Sequence, residues 1–351
     1  MELQRFIDKV KPIDEKYYAI AQKRLDSLTK PKGSLGRLEE FCKTIVGITE
    51  NPMPDISKKA IFVFAGDHGV VEEGVSAYPK EVTRQMVLNF LARGAAINCL
   101  VRHAGAEVVI IDVGVDHDFG RLPGLLSKKI MYGTKNMTKT AAMTRQQAII
   151  CLREGIDLAS FSASIGYNFL AAGEMGIGNT TPSSAITAVL TGKPVSEVTG
   201  RGTGINNRVF KKKVKVIEKA LAVNKPDPDD PIDVLAKVGG TEIGAIAGIV
   251  LGAAASRVPV VVDGFISSVG ALIAYRLCPL VQRYLFAAHR SVEAGHTAVL
   301  EAIGLNPILD LQMRLGEGTG AALAMTIVDG ALKTYKEMAT FDSAGVSEVV
   351  D

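Results

Sequence analysis

The sequence predicts an α/β fold: a doubly wound, mostly parallel sheet with a small helical domain built from both chain ends. Two observations carry this. From about residue 51, short apolar runs ending in small or acidic residues alternate with helical stretches of roughly ten to twenty residues, the texture of a parallel sheet joined by helices. Before and after that region the periodicity is helical only. A chain of 351 residues has room for about two domains at roughly 150 residues each. The expected division is a helical hairpin at 1–50, an α/β domain at 51–320, and a C-terminal helix at 321–351 that returns to pack on the hairpin.

The elements follow in order. Asp14 is placed to cap a helix whose apolar positions are Tyr17, Ile20, Ala21, Leu25 and Leu28. Lys30-Pro31-Lys32-Gly33-Ser34 breaks it and reads as a solvated basic turn, and Leu38, Phe41, Cys42, Ile45 and Val46 resume the helical period. The expected strands are Ala60–Ala65, Glu107–Ile111, Lys129–Tyr132, Phe169–Ala172, Val258–Val262 and Tyr284–Ala287. Each is followed by polar or glycine-rich residues: Gly66-Asp67-His68-Gly69, Asp112-Val113-Gly114, Gly133-Thr134, Gly173-Glu174, Asp263-Gly264 and His289. Recurrent ends of this kind predict a site at the carboxyl edge of the sheet, assembled from several loops. The final helix is expected over about 321–340.

Composition narrows the partners. The 40 basic and 37 acidic residues leave a formal charge of +3, too slight for a polyanionic polymer as the main ligand. There are 35 glycines, 12 Phe, 8 Tyr and no Trp, so backbone approaching a ligand is favoured over aromatic stacking on nucleic acid. Cys42, Cys99, Cys151 and Cys278 are widely spaced, arguing for a reducing cytoplasm rather than a disulfide framework. The N-terminal residues do not read as a secretory signal, and the uncharged stretch 243–256 is too short for a bilayer span, so a buried helix is expected there.

Four segments carry chemistry. In Gly173-Glu174-Met175-Gly176-Ile177-Gly178-Asn179-Thr180-Thr181-Pro182, glycines lead from a buried strand to a helix start, with Thr181 expected as N-cap and Pro182 as first helical residue. Such a helix end can hold phosphate, although a plain strand-to-helix turn would look the same. Gly200-Arg201-Gly202-Thr203-Gly204 has the makings of a backbone nest for an anion. Of the following basic run, Lys213 is expected to turn inward while Lys211, Lys212 and Lys215 stay in water. In Arg314-Leu315-Gly316-Glu317-Gly318-Thr319-Gly320 a lone glutamate precedes an alanine-rich helix, where the helix terminus would bias it toward the ionised form of a proton acceptor. Around Asp67-His68, the residues Ser76, Tyr78, Pro79, Gln85 and Met86 could form an apolar slot with a polar lip, and His68 itself reads as a hydrogen-bonded structural residue.

No H-x-x-x-H or H-E-x-x-H spacing occurs, so no metal and no cofactor are expected. There is no G-x-S-x-G elbow and no G-x-G-x-x-G after the first strand, which argues against a nicotinamide-dependent oxidoreductase.

Together with Lys30-Pro31-Lys32-Gly33-Ser34-Leu35-Gly36-Arg37-Leu38-Glu39, Glu73-Gly74-Val75, Gly133-Thr134-Lys135-Asn136-Met137, Lys237-Val238-Gly239-Gly240 and Val262-Asp263-Gly264-Phe265, these segments run nearly the length of the chain. In this order they resemble the nicotinate-nucleotide:dimethylbenzimidazole phosphoribosyltransferase family, which makes the lower-ligand nucleotide of cobalamin. The resemblance implies a Rossmann-like nucleotide-binding catalytic domain, a small helical domain, and a homodimer with the partner's small domain near each site. It implies Glu317 as general base, Glu174 as a second active-site carboxylate, and Lys213 as a lysine near the nucleotide.

The substrates so implied are nicotinate mononucleotide and a benzimidazole-type base. Phosphate and ribose contacts are expected from Gly176, Asn179, Thr180, Thr181, Gly202, Gly204, Lys213, Asp263, Gly264 and Gly316. Ser76, Tyr78, Gln85, Met86, Met175 and Leu315 are expected around the aromatic base. The slot varies among members of the family, so phenolic or other aromatic acceptors stay open, as does a nucleotide-binding partner chain without turnover.

Overall fold

In the computed structural model of the chain, which describes residues 2–202 and 204–347, six strands form one sheet. They are β1 (Lys59–Gly66), β2 (Ala106–Gly114), β3 (Leu125–Ser127), β4 (Phe169–Met175), β5 (Val260–Val262) and β6 (Leu285–Ala287). The order is β3-β2-β1-β4-β5-β6, and every pairing is parallel. The chain winds outward from β1 to β3, then returns to β4 beside β1. Winding therefore reverses between β1 and β4, and in open sheets of this kind the crevice beyond the strand ends at that reversal is where ligands bind.

All residues of β1 are buried, as a central parallel strand covered on both faces requires. Part of that cover is the helix Thr241–Ala255, buried along its length except for its last residue. It lies against the helix Arg145–Ser164 with almost no gap. A Cβ on Gly155 would come within 2.7 Å of the Ile249 nitrogen, and one on Gly252 within 2.7 Å of the Ile156 carbonyl oxygen. Glycine there is a packing requirement. The stretch expected as a buried helix at 243–256 is this element, and among the described residues no helix is long and apolar enough to cross a membrane.

Helices from the two chain ends meet on one side. Asp14 caps the helix Glu15–Ser27 by accepting from the Lys16 amide at 2.9 Å. The helix Arg37–Thr49 packs on it and on the last long helix, Thr319–Glu337. Arg24 donates to the carbonyls of Tyr335 and Lys336 at 2.8 and 2.9 Å, and the Thr29 amide donates to Ala339. The turn at 30–34 is less solvated than its composition suggests, since Lys30 is buried in a 2.7 Å ion pair with Glu39.

The strand expected at Lys129–Tyr132 is displaced. The edge strand is Leu125–Ser127, and the residues after it follow β2 through single bonds, Lys128 N to Asp112 O and Ile130 N to Val113 O. Lys129 is drawn instead to the Asp112 carboxylate at 2.7 Å. The last two strands are shorter than expected, since Val258 precedes β5 and Tyr284 closes a 3-10 turn before β6.

Candidate active site

Beyond the carboxyl ends of β1, β4 and β5 lies a cavity of about 390 Å³. Its lining is in part apolar, from Val75, Tyr78, Val82, Met86, Met175, Ile177, Phe265, Ile266 and Leu315, and in part polar or charged, from Glu174, Asn179, Thr180, Gly202, His289, Ser291, Glu293, Arg314 and Glu317. An apolar slot facing a small set of converging polar groups is the usual make-up of a site for a small organic ligand.

Glu174 is the penultimate residue of β4 and is buried. Burial pushes its carboxyl up to about 8, opposed by the Asn179 side-chain amide that donates to it and reinforced by the negative charges of Glu242, Asp263 and Glu317. Gly316 has no side chain where one would overlap the Glu174 carboxylate.

Glu317 sits in the left-handed backbone region, with φ of +64°, a conformation rare for a side chain other than glycine and often found at functional sites. Two bonds hold it there. Its amide donates to the Glu174 carbonyl at 3.2 Å, and its carboxylate accepts from the Ile97 amide in the first turn of the helix Ala96–Ala104. The expectation that the helix following Glu317 would favour the ionised form is corrected: the favourable amide comes from another helix, and burial outweighs it. Burial raises its carboxyl, the Ile97 amide lowers it, and Asp263 raises it further, so the net direction is upward. One of its oxygens is buried without a partner.

Asp263, expected to contact phosphate or ribose, is turned away from the cavity. Its two oxygens accept from the amides of Gly318 at 3.1 Å and Ala321 at 2.9 Å, and it is buried. It therefore caps the helix Thr319–Glu337 and fixes the loop carrying Glu317.

The helix after β4 runs over Thr180–Thr191. The expected Thr181 cap is corrected: Asn179 is the capping residue, its carbonyl accepting from the Ser183 amide while its side chain makes no capping bond and donates from its amide nitrogen to Glu174. Thr181 is buried with its hydroxyl unpartnered, and Pro182 falls within the first turn. Lys213, on the helix Asn207–Asn224, is buried, while Lys211, Lys212 and Lys215 are not. Its ammonium donates to Thr180 Oγ1 at 2.6 Å and to the Gly200 carbonyl at 3.4 Å, and burial pulls its pKa down to about 8. In the glycine loop, Gly202 reaches the cavity while Gly204 faces a neighbouring one; Thr203 lies outside the described residues.

Gly176, Gly264 and Gly316 line the cavity, as do Ser76, Tyr78, Met86, Met175 and Leu315. Gln85 does not, since it lies on the solvent side of the helix Glu81–Leu91. His68 lies behind the cavity, 2.8 Å from Glu242 and buried with it. Ser291 and Glu293 were not expected. They stand just before the helix Ala294–Ile303, and the only sequence signal was a serine and an acid at a helix start after a strand end.

A phosphoribosyltransferase family profile matches residues 10–346. The chain is 61% identical over 346 residues, 99% of its length and 98% of the relative's, to the nicotinate-nucleotide–dimethylbenzimidazole phosphoribosyltransferase of Geotalea uraniireducens. It is 60% identical, over the same shares, to that of Geobacter metallireducens. Among solved structures, the corresponding enzyme from Thermus thermophilus matches with a TM-score of 0.90 at 45% identity, covering 96% of this chain and 100% of that one. A second structure, CobT of the same organism, gives 0.91 at 46% identity, covering 95% of this chain and 100% of that one. With fold and sequence in agreement along nearly the whole chain, this protein belongs to the nicotinate-nucleotide–dimethylbenzimidazole phosphoribosyltransferase family.

Proposed function

We infer that the chain transfers the 5-phosphoribosyl group of nicotinate mononucleotide to 5,6-dimethylbenzimidazole, releasing nicotinate and forming α-ribazole 5′-phosphate. The observation that carries this reading is that Glu174 and Glu317 line one cavity together with a set of apolar side chains.

The chemistry explains why two carboxylates and an apolar slot belong together. Nicotinate joined to C1′ is a pyridinium, so its bond breaks with the electron pair returning to the ring nitrogen and needs no proton donor. The attacking ring nitrogen of the benzimidazole forms the new bond to C1′ from the opposite face, inverting it. The N–H on the other ring nitrogen then becomes acidic. Glu317 takes that proton, a step worth about 10²–10⁴ in rate. Its upward-shifted carboxyl makes it a stronger proton acceptor than an exposed glutamate.

As nicotinate leaves, positive charge builds at C1′, and Glu174 faces it. A carboxylate with its pKa raised by burial and by neighbouring negative charge is stabilised when a cation arrives. Phosphate is held by the Gly176–Thr180 turn, Gly202 and Lys213, and the aromatic base by Met86, Met175, Tyr78 and Leu315.

The helices of the two chain ends act as a small domain, and the enzyme works as a homodimer. Tyr78 and Leu315 are 54% and 57% exposed at the mouth of the slot, which leaves apolar surface for a second copy to cover. The four cysteines are unpaired, as a reducing cytoplasm allows. Incubation with nicotinate mononucleotide and a panel of benzimidazoles and phenols, read by mass spectrometry, tests the reaction. The benzimidazole product and nicotinate are expected together; nucleotide bound without nicotinate release contradicts the reading.

A further inference from the structure

A carboxylate already occupies the anion seat. Gly202 offers the backbone amide expected to receive the nucleotide's phosphate, yet that amide donates to Glu293 Oε1 at 2.8 Å. Thr180 Oγ1 and Lys213 Nζ lie beside the same residue, 2.9 and 3.5 Å from where a Gly202 Cβ would stand. Glu293 is buried, and its second oxygen, Oε2, has no hydrogen-bond partner. Gly200 is left without a side chain where one would overlap that oxygen. Although Glu293 is the capping residue of the helix Ala294–Ile303, its side chain makes no capping bond and reaches across to the loop instead.

We propose that Glu293 is an internal stand-in for phosphate, which occupies the Gly202 amide and is displaced when the nucleotide's phosphate arrives. This rests on the functional reading above. Two anions cannot share the one Gly202 amide beside a single lysine without strong repulsion. The displaced side chain has a place to go: Glu293 also lines a second cavity of about 400 Å³, which contains Arg201 and Arg314. Burial raises its carboxyl while Lys213 and Arg314 lower it.

The consequence is unusual for a residue buried in a substrate cavity: removing its charge should improve binding. Glu293→Gln keeps the shape and an acceptor for Gly202, and Glu293→Ala removes both. Calorimetry on the full chain would compare nicotinate mononucleotide, inorganic phosphate and nicotinate riboside, which lacks the phosphate. Both variants are expected to bind the mononucleotide and inorganic phosphate about tenfold more tightly than wild type, with riboside affinity unchanged. A merely structural role would not produce a gain. Unchanged or weaker mononucleotide binding in both variants, or an equal gain for the riboside, overturns the proposal. Failure of the wild type to bind the mononucleotide overturns the functional reading instead.

Discussion

The backbone amide of Glu317 donates to the backbone carbonyl of Glu174 at 3.2 Å, so these two cavity-lining glutamates are joined by a main-chain bond between β4 and the loop before the last long helix. Contact at this point is direct. A Cβ on Gly173 would overlap the Gly318 nitrogen and lie 2.6 Å from the Glu317 carbonyl carbon. Backbone meeting backbone has no flexible end to move aside. Gly173→Ala should therefore destabilise the protein by about 1–3 kcal/mol and lower kcat by displacing Glu317. Denaturant melts with steady-state kinetics check this, and unchanged kcat in a folded variant contradicts it.

Asp263 holds the other side of the same loop. Asn at this position offers one carbonyl oxygen where two amides now find acceptors, so Asp263→Asn should cost about 1–3 kcal/mol of stability. It should reduce kcat while leaving the Michaelis constant for the nucleotide nearly unchanged, because Asp263 does not line the cavity. A large rise in that constant with kcat intact would return Asp263 to a substrate contact.

Glu174 carries a pH signature. Burial raises its carboxyl from 4.5 to about 8, so between these values the folded protein keeps a proton that the unfolded chain has released. This contribution to stability is fully present below 4.5 and is lost as pH rises through about 8. Glu174→Gln has no proton to lose. Relative to wild type it should gain stability steadily as pH rises, reaching on the order of a few kcal/mol near pH 8. Thermal melts across that range measure the difference, and a pH-independent gap contradicts the assignment.

Lys213 is charged below about 8 because burial lowers its pKa. Lys213→Met fills the same buried space without charge, and should raise the Michaelis constant for the nucleotide about ten- to a hundredfold with little change in kcat. Nucleotide affinity of the wild type should also weaken as pH rises past about 8, a limb the variant lacks. An unaltered constant removes Lys213 from the phosphate site.

Much of this was legible in the sequence where a strong local pattern existed. The long apolar runs of β1 and β4, and the polar residues ending them, marked both the sheet and its working edge. The strand Leu125–Ser127 was missed because it is only three residues long, lies at the edge and is partly exposed. Glu317 stands out as an acid among glycines with no packing role, and the family resemblance adds Glu174. The work of Asp263 did not, because its partners Gly318 and Ala321 lie far along the chain, and only folding shows that they use up its oxygens. Glu293 has no glycine-rich setting of its own; the glycines that accommodate it, Gly200 and Gly202, belong to another loop.

The central claim is that Glu317 removes the proton from the incoming base. Product formation from nicotinate mononucleotide and 5,6-dimethylbenzimidazole should be compared by mass spectrometry in wild type and Glu317→Gln, with nucleotide binding measured alongside. The account predicts a loss of about 10²–10⁴ in rate with nucleotide binding retained. Turnover at the wild-type rate in Glu317→Gln would contradict it.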